Sequence, residues 1–126
     1  MLFRSGSLLD MSGSASTLIV GCENLNFTGT FNAGTNSLVN YNRDASNPVS
    51  GASGNQNVTT GFAYANLSFS GSNTKNTEDD FLVNGTLTID GATTSLEALV
   101  AGRTLTLGGD LILSGGGTMG GVTGAS

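Results

Sequence analysis

The feature that most constrains the fold of this chain is an eight-residue pattern that occurs twice. Glu23–Thr30 reappears further along the chain as Ala65–Ser72, and both segments read x-Asn-Leu-(Asn/Ser)-Phe-(Thr/Ser)-Gly-(Thr/Ser). We call this pair the longer echo. A second pair, which we call the shorter echo, relates Gly85–Gly91 to Arg103–Gly109. Its two segments are less than half as far apart along the chain as those of the longer echo. Self-similarity of this kind is typical of stacked units, none of which buries its apolar face alone. The sequence therefore predicts a repeat architecture before it indicates any activity.

Short segments in which apolar residues alternate with polar ones predict β-strands. Leu25 and Phe27 lie on one side of the first echo, and alternation of period two is the strand signal. Residues 95–101 fit either a strand or two helical turns, because Thr94 and Glu97 have the spacing of a capping box. The all-β neighbours favour the strand. Four further apolar pairs follow at short intervals, separated by turn dipeptides: Phe81/Val83, Leu87/Ile89, Leu105/Leu107 and Leu111/Leu113.

Two all-β topologies are compatible with strands of this length. In a parallel β-solenoid, coils of roughly 18 to 25 residues stack about 4.8 Å apart. In an antiparallel sandwich or meander, Asn84-Gly85 and Asp90-Gly91 would be hairpin turns. The shorter echo superposes Leu87 on Leu105 as one coil, and the longer echo then spans two coils. We therefore predict an all-β, right-handed parallel β-helix of about five to six coils, with the antiparallel sandwich or meander as the alternative.

Composition divides the chain into three parts. Residues 1–16 are expected to be a cloning scar, a disordered segment or a partial coil. Residues 17–114 carry the solenoid repeats, and a surface loop at 42–57 interrupts them and holds the only proline. Residues 115–126 are rich in glycine and are interpreted as a truncated end. The whole chain is interpreted as a fragment of a longer repeat protein.

The charges exclude several classes of partner. The net charge is −5, and the four basic residues are far apart in the sequence, so we expect no nucleic-acid binding. No apolar run approaches the ~20 residues of a membrane-spanning helix, so we expect no membrane insertion. The chain has no His, which removes the commonest general base and metal ligand at neutral pH. We therefore expect no enzymatic activity and no cofactor.

The best candidate for ligand contact is the loop at 42–57, because loops on a rigid scaffold commonly carry recognition. Tyr41, Arg43 and Asp44 would supply an aromatic ring and charges of both signs at its start. Asn24 and Asn66, at matching positions of the longer echo, predict an amide ladder that runs from coil to coil.

The acidic run Glu78-Asp79-Asp80 has two interpretations, a Ca²⁺ site and a solvated turn, and the absence of a calcium-loop motif favours the turn. Asp79, Asp80 and Asp90, with Lys75 or Arg103, are the only constellation that could support a polysaccharide-active β-helix enzyme.

Leu25–Val39, which contains Gly29-Thr30-Phe31-Asn32-Ala33-Gly34, resembles the "strand, Gly-Thr-Phe-x-Ala-Gly, strand" unit of bacterial β-strand-repeat surface proteins. Tyr64–Lys75 and Val83–Ile89 are similar to the same unit. These proteins include chains exported by type IX secretion, and they resemble autotransporter and filamentous-haemagglutinin-like passengers.

The resemblance implies a right-handed parallel β-helix, a secreted or outer-cell-surface location, and a structural or adhesin-type role without catalytic residues. Its implied partners are the neighbouring coils of the same longer chain, and glycans or proteins of a host surface or matrix. The alternative function is a carbohydrate- or protein-binding module that uses the loop at 42–57, and a polysaccharide-active enzyme is the least favoured.

Overall fold

The computed structural model describes residues 6–44, 55–91, 94–98 and 103–120, and within these ranges the chain forms short β-strands and no helix. The strands are β1 (Leu8–Asp10), β2 (Thr17–Val20), β3 (Thr30–Asn32), β4 (Leu38–Tyr41), β5 (Gln56–Asn57), β6 (Ala63–Tyr64), β7 (Asn66–Phe69), β8 (Asn73–Thr77), β9 (Phe81–Val83), β10 (Leu87–Asp90), β11 (Thr94–Ala98), β12 (Leu105–Leu107), β13 (Leu111–Ser114) and β14 (Thr118–Met119).

The strands form parallel sheets in which strands of successive coils pair with one another. Face 1 stacks β2, β4, β7, β10 and β13, face 2 stacks β5, β8, β11 and β14, and face 3 stacks β6, β9 and β12. Strands β1 and β3 form a separate parallel pair. The chain is therefore a β-solenoid of about four turns. The predicted fold class is confirmed, and the antiparallel alternative is wrong because every pair of these strands is parallel.

The coils differ in length, and one is much longer than the echoes predicted. The length of a coil is the stretch of chain between two residues that are register partners. The coil from Gln56 to Lys75 is short, whereas the coil from Leu38 to Asn66 is long. The long coil contains residues 45–54, which lie outside the described residues. Since longer coils leave room for fewer of them, the structure has about four turns where the sequence predicted five to six.

Neither sequence echo coincides with the structural register. Leu87 pairs with Leu67 and Leu111 on face 1, whereas Leu105 pairs with Phe81 on face 3. The predicted superposition of Leu87 on Leu105 is therefore wrong. The reason is that one coil contains up to three strands with the same alternation, so similar segments recur on different faces.

Two apolar columns on face 1 form the centre of the core. The side chains of their middle coils are fully buried, and each such side chain contributes roughly 1.5 to 3 kcal/mol of burial free energy. At the last coil, Leu111 and Leu113 are 42% and 52% exposed, because β13 has a neighbour on one side only. The columns are Leu18, Val39, Leu67, Leu87, Leu111 and Val20, Tyr41, Phe69, Ile89, Leu113.

Several regions with open interpretations contain strands in the structure. Thr94–Ala98 is the strand β11, in register with β8, so the strand interpretation of this segment is confirmed as far as residue 98. Leu8–Asp10 and Thr118–Met119 are strands in the two terminal parts. Gln56–Asn57, the end of the predicted loop, pairs with β8. The predictions for residues 1–5, 99–101 and 121–126 lie outside the described residues.

Candidate functional site

The structure places two of the three predicted ligand-contact residues inside the protein. Tyr41 is fully buried, and its hydroxyl oxygen lies 3.0 Å from that of Tyr64. Arg43 is 5% exposed, and its guanidinium Nη2 lies 3.4 Å from Glu23 Oε2. Asp44 is half-buried. Tyr41 and Arg43 therefore support the coil corner before residue 45 and do not face solvent.

A buried polar corner, formed by Gln56 and Lys75, joins three successive coils. Gln56 Nε2 donates to the carbonyl oxygens of Val20 and Cys22, at 2.7 and 2.8 Å. Gln56 Oε1 accepts from the backbone N–H of Arg43 at 3.2 Å and from Lys75 Nζ at 3.0 Å. Lys75 Nζ also donates to the Arg43 carbonyl oxygen at 2.9 Å. These bonds fix the chain immediately before and after residues 45–54.

Lys75 is an ionisable group inside the solenoid, with 0% of its surface exposed. Burial lowers the pKa of its ammonium group from the ordinary 10.5 to about 8. The nearby charge of Asp44 opposes this change in pKa, and that of Arg43 adds to it. Lys75 therefore cannot act at the surface with the acidic run that follows it.

A groove opens on the outside of the solenoid, at the corner between faces 2 and 3, and we call it the inter-coil groove. It has a volume of about 580 Å³, within the range of roughly 300 to 1,000 Å³ that small-molecule sites occupy. Two stretches of successive coils form its walls, and an acidic pair from a third coil completes it. The lining residues are 24–29, 57–62, Glu78 and Asp79.

Side-chain amides form a ladder along one end of the groove. Asn57 Nδ2 donates to Asn24 Oδ1 at 2.6 Å, and Asn76 Nδ2 donates to Asn57 Oδ1 at 3.3 Å. The backbones of Asn24 and Asn57 form a parallel bridge at the same place. The predicted ladder of Asn24 with Asn66 is wrong: Asn66 is on face 1, where its amide bonds the backbone of Ser37. The ladder follows face 2.

Two half-buried phenylalanine rings lie at the other side of the groove. The Phe27 and Phe62 rings meet edge to face, with centroids 5.4 Å apart. Phe62 also packs against Phe31, at 4.7 Å between ring centroids, and against Tyr64 at 6.0 Å. This aromatic cluster fills the space between β3 and β6, where the third face is interrupted.

The acidic residues that the sequence analysis considered together are held by different partners at different corners. Asp79 forms an ion pair with Arg103 at 2.8 Å, and Asp80 Oδ1 accepts from the backbone N–H of Thr104 at 2.7 Å. Asp90 lies at a different corner, where its Oδ1 accepts from the Ser114 hydroxyl at 2.8 Å. Within the described ranges, no group of three or more Cys, Asp or Glu residues is placed to hold a metal ion.

Both the groove and the buried corner escaped sequence reasoning, although a signal for them exists. Three tripeptides place Asn after a long polar residue and before an apolar or β-branched one: Glu23-Asn24-Leu25, Gln56-Asn57-Val58 and Lys75-Asn76-Thr77. These three segments stack in succession at one end of face 2. Their spacing is irregular because residues 45–54 lie between the first two, so no fixed period reveals them.

Comparison of the chain with protein families, with curated proteins and with solved structures finds no match. In the part of the chain that the structure describes, no helix is long and apolar enough to cross a membrane.

Proposed function

We propose that this chain is a structural, adhesin-type repeat segment of a secreted or cell-surface bacterial protein. Its role is to extend the protein and to present the surface loop that the sequence predicts at 42–57. The role requires rigidity and no catalytic group. The resemblance of Leu25–Val39 to the units of bacterial β-strand-repeat surface proteins supports the location.

The observation that supports the proposal most directly is the continuous stacking on face 1. Five strands lie in parallel register there, and the same inward positions hold apolar side chains in every coil. Each coil in such a stack contacts only its neighbours, so stability is transmitted from one coil to the next. The buried corner also stabilises the stack, because its hydrogen bonds connect the residues before and after 45–54 to the next coil.

Surface labelling tests the location. An antibody raised against the purified chain is applied to intact cells that produce the protein, and to the same cells after permeabilisation. We expect full labelling of intact cells, and loss of the signal after brief treatment with an external protease. Labelling that appears only after permeabilisation, with none in the medium, would contradict the proposal.

A second candidate function, a binding module, is favoured by the inter-coil groove. The groove is polar, has an aromatic side and is large enough for a small ligand. Apart from Asn57, its lining residues lie outside the loop at 42–57, on which the sequence interpretation relied. Deletion of residues 45–54 separates the two surfaces: binding through the loop would be lost, and binding through the groove would persist.

A further inference from the structure

We infer that the inter-coil groove is a binding site for an uncharged oligosaccharide. The inference concerns a site outside the stacking core, and it does not depend on the scaffold role. It follows from three properties of the lining residues: their hydrogen-bonding capacity, their apolar rings and the sign of their charge.

The amide ladder retains hydrogen-bonding capacity after its own bonds are made. A primary amide has two N–H donors and an oxygen with two lone pairs. Asn57 donates one N–H to Asn24 and accepts one hydrogen bond from Asn76, so its amide retains a second N–H donor and a second oxygen lone pair. The ladder bonds also hold the amides at fixed spacing, which lowers the entropy cost of binding. Hydroxyl groups, which both donate and accept, suit such a row of amides.

The phenylalanine rings provide the apolar part of the site. Phe27 and Phe62 line the groove, and both residues are half-buried. A pyranose ring has an apolar face of C–H groups, which packs against an aromatic ring while its hydroxyls point sideways. Phe62 is held by Phe31 and Tyr64, so a ligand meets a ring that is already positioned. The volume of about 580 Å³ accommodates more than one sugar ring.

The charges of the lining residues disfavour anionic sugars. Glu78 and Asp79 are the ionisable residues that line the groove, and both are exposed carboxylates. Asp79 is paired with Arg103, which leaves the acidic side of the groove with a net negative charge in the region of Glu78. Carboxylate oxygens accept hydrogen bonds from sugar hydroxyls but repel uronic acids. The structure therefore favours neutral sugars over acidic ones.

Titration with defined oligosaccharides tests the inference on the full chain. The neutral probes are cellotetraose, maltotetraose and N,N′,N″-triacetylchitotriose, and trigalacturonic acid is the anionic probe. Binding is followed by calorimetry and by the side-chain amide signals of Asn24 and Asn57 in ¹⁵N–¹H spectra. We expect at least one neutral probe to saturate below about 10 mM, with signal shifts confined to the groove, and no saturation by trigalacturonic acid.

Three variants locate the binding. Asn24→Ala removes an exposed amide and should weaken binding of the neutral probe roughly 3- to 10-fold, as expected for one or two hydrogen bonds. Phe62→Leu keeps the apolar volume but removes the ring, and a similar loss is expected. Asn36→Ala, an exposed asparagine outside the groove, is the matched control and should bind like the parent chain.

Failure of all three neutral probes to saturate would overturn the inference. It would also be overturned by equal binding of trigalacturonic acid, or by unchanged affinity in the Asn24→Ala variant. Asn24→Ala decides the matter if Phe62→Leu does not fold, because Asn24 lies at the surface. A groove that binds no sugar leaves the scaffold proposal standing, since surface labelling decides that proposal separately.

Discussion

Replacement of Lys75 by methionine tests whether the solenoid interior disfavours a charge at this position. Lys75 has no exposed surface, and burial lowers the pKa of its ammonium group to about 8. The ammonium group donates hydrogen bonds to Gln56 Oε1 and to the Arg43 carbonyl oxygen, and the charges of Asp44 and Arg43 are nearby. In the unfolded chain the amine returns to its ordinary pKa of 10.5.

The difference between the two pKa values makes stability depend on pH. Well below pH 8 Lys75 is protonated in both the folded and the unfolded state, so it gives the free energy of unfolding no pH dependence there. Between pH 8 and 10.5 the unfolded chain binds a proton that the folded chain has lost, so the free energy of unfolding rises with pH. One pKa unit corresponds to about 1.4 kcal/mol, and the lowering of roughly 2.5 therefore gives a total gain of about 3 kcal/mol.

Tyr64 acts in the opposite direction at higher pH. Burial, with a smaller contribution from Tyr41, raises the pKa of its hydroxyl well above 10. Above pH 10 the folded chain keeps a proton that the unfolded chain loses, so stability falls again as the pH rises. The informative window is therefore pH 8 to about 9.5, where we expect the unfolding free energy to rise by about 1 kcal/mol per pH unit.

Urea denaturation followed by circular dichroism measures this slope in steps of pH. The parent chain, Lys75→Met and the exposed-site control Arg103→Met are compared in a Cys22→Ser background, which prevents disulfide-linked dimers. We expect the slope to be lost in Lys75→Met and kept in Arg103→Met. Lys75 is the only lysine in the sequence, so ¹³Cε-lysine labelling gives a single NMR signal that reports its pKa directly. A folded-state pKa of 10 or more, or an equal slope in Lys75→Met, would refute the reasoning.

Two further predictions concern the core and the coil corners. Ile89→Ala should destabilise the chain by about 3 kcal/mol, whereas Leu113→Ala, its register neighbour in the half-exposed last strand, should cost less than about 1 kcal/mol; equal losses in urea denaturation would contradict the stacking order. Gly71→Ala should destabilise by at least about 2 kcal/mol, because Gly71 has φ +84° and a Cβ there would lie 2.6 Å from two backbone carbonyl oxygens. Gly13→Ala, where a Cβ meets nothing within 4 Å, is its control and should leave the midpoint nearly unchanged; an equal shift in both variants would show that the corner at Gly71 tolerates a side chain.

The strands were predictable because their signal is local. Alternation in Leu87–Asp90 places one side chain inward and the next outward, and it can be recognised without knowing which strand is the neighbour. The strand that was favoured over a helix at Thr94–Ala98 is also present. The repeated character of the segments predicted stacking, since short strands with one apolar side cannot be stable alone.

The register was not predictable because many segments are alike. The Leu-Thr-Ile of β10 and the Leu-Thr-Leu of β12 match by sequence, yet they lie on different faces of the solenoid. A strand of this kind fits several neighbours almost equally well. The choice depends on the sum of contacts over a whole coil, including the lengthened coil between Leu38 and Asn66. Because the echoes predict the wrong register, they also predict the wrong partner for Asn24 in the amide ladder and too many coils.

The candidate groove and the buried corner lay beyond sequence reasoning for a related reason. Lys and Arg are residue types that usually lie at the surface, and only the tertiary structure shows that Lys75 and Arg43 are buried. The groove combines residues from three coils, and Asn24 is far along the chain from Asn57, its hydrogen-bonding partner. No local pattern contains information about such pairs.

By itself, the sequence determined that the chain forms short strands with one apolar side and that these strands stack. This follows because alternation of side chains is a property of each segment alone. The tertiary structure decided which strands are neighbours, how many turns result, and which polar residues lie inside. Those properties depend on packing between residues that are distant in the sequence. Glu23–Thr30 and Ala65–Ser72 show this, because the two segments are similar in sequence but lie on different faces of the solenoid.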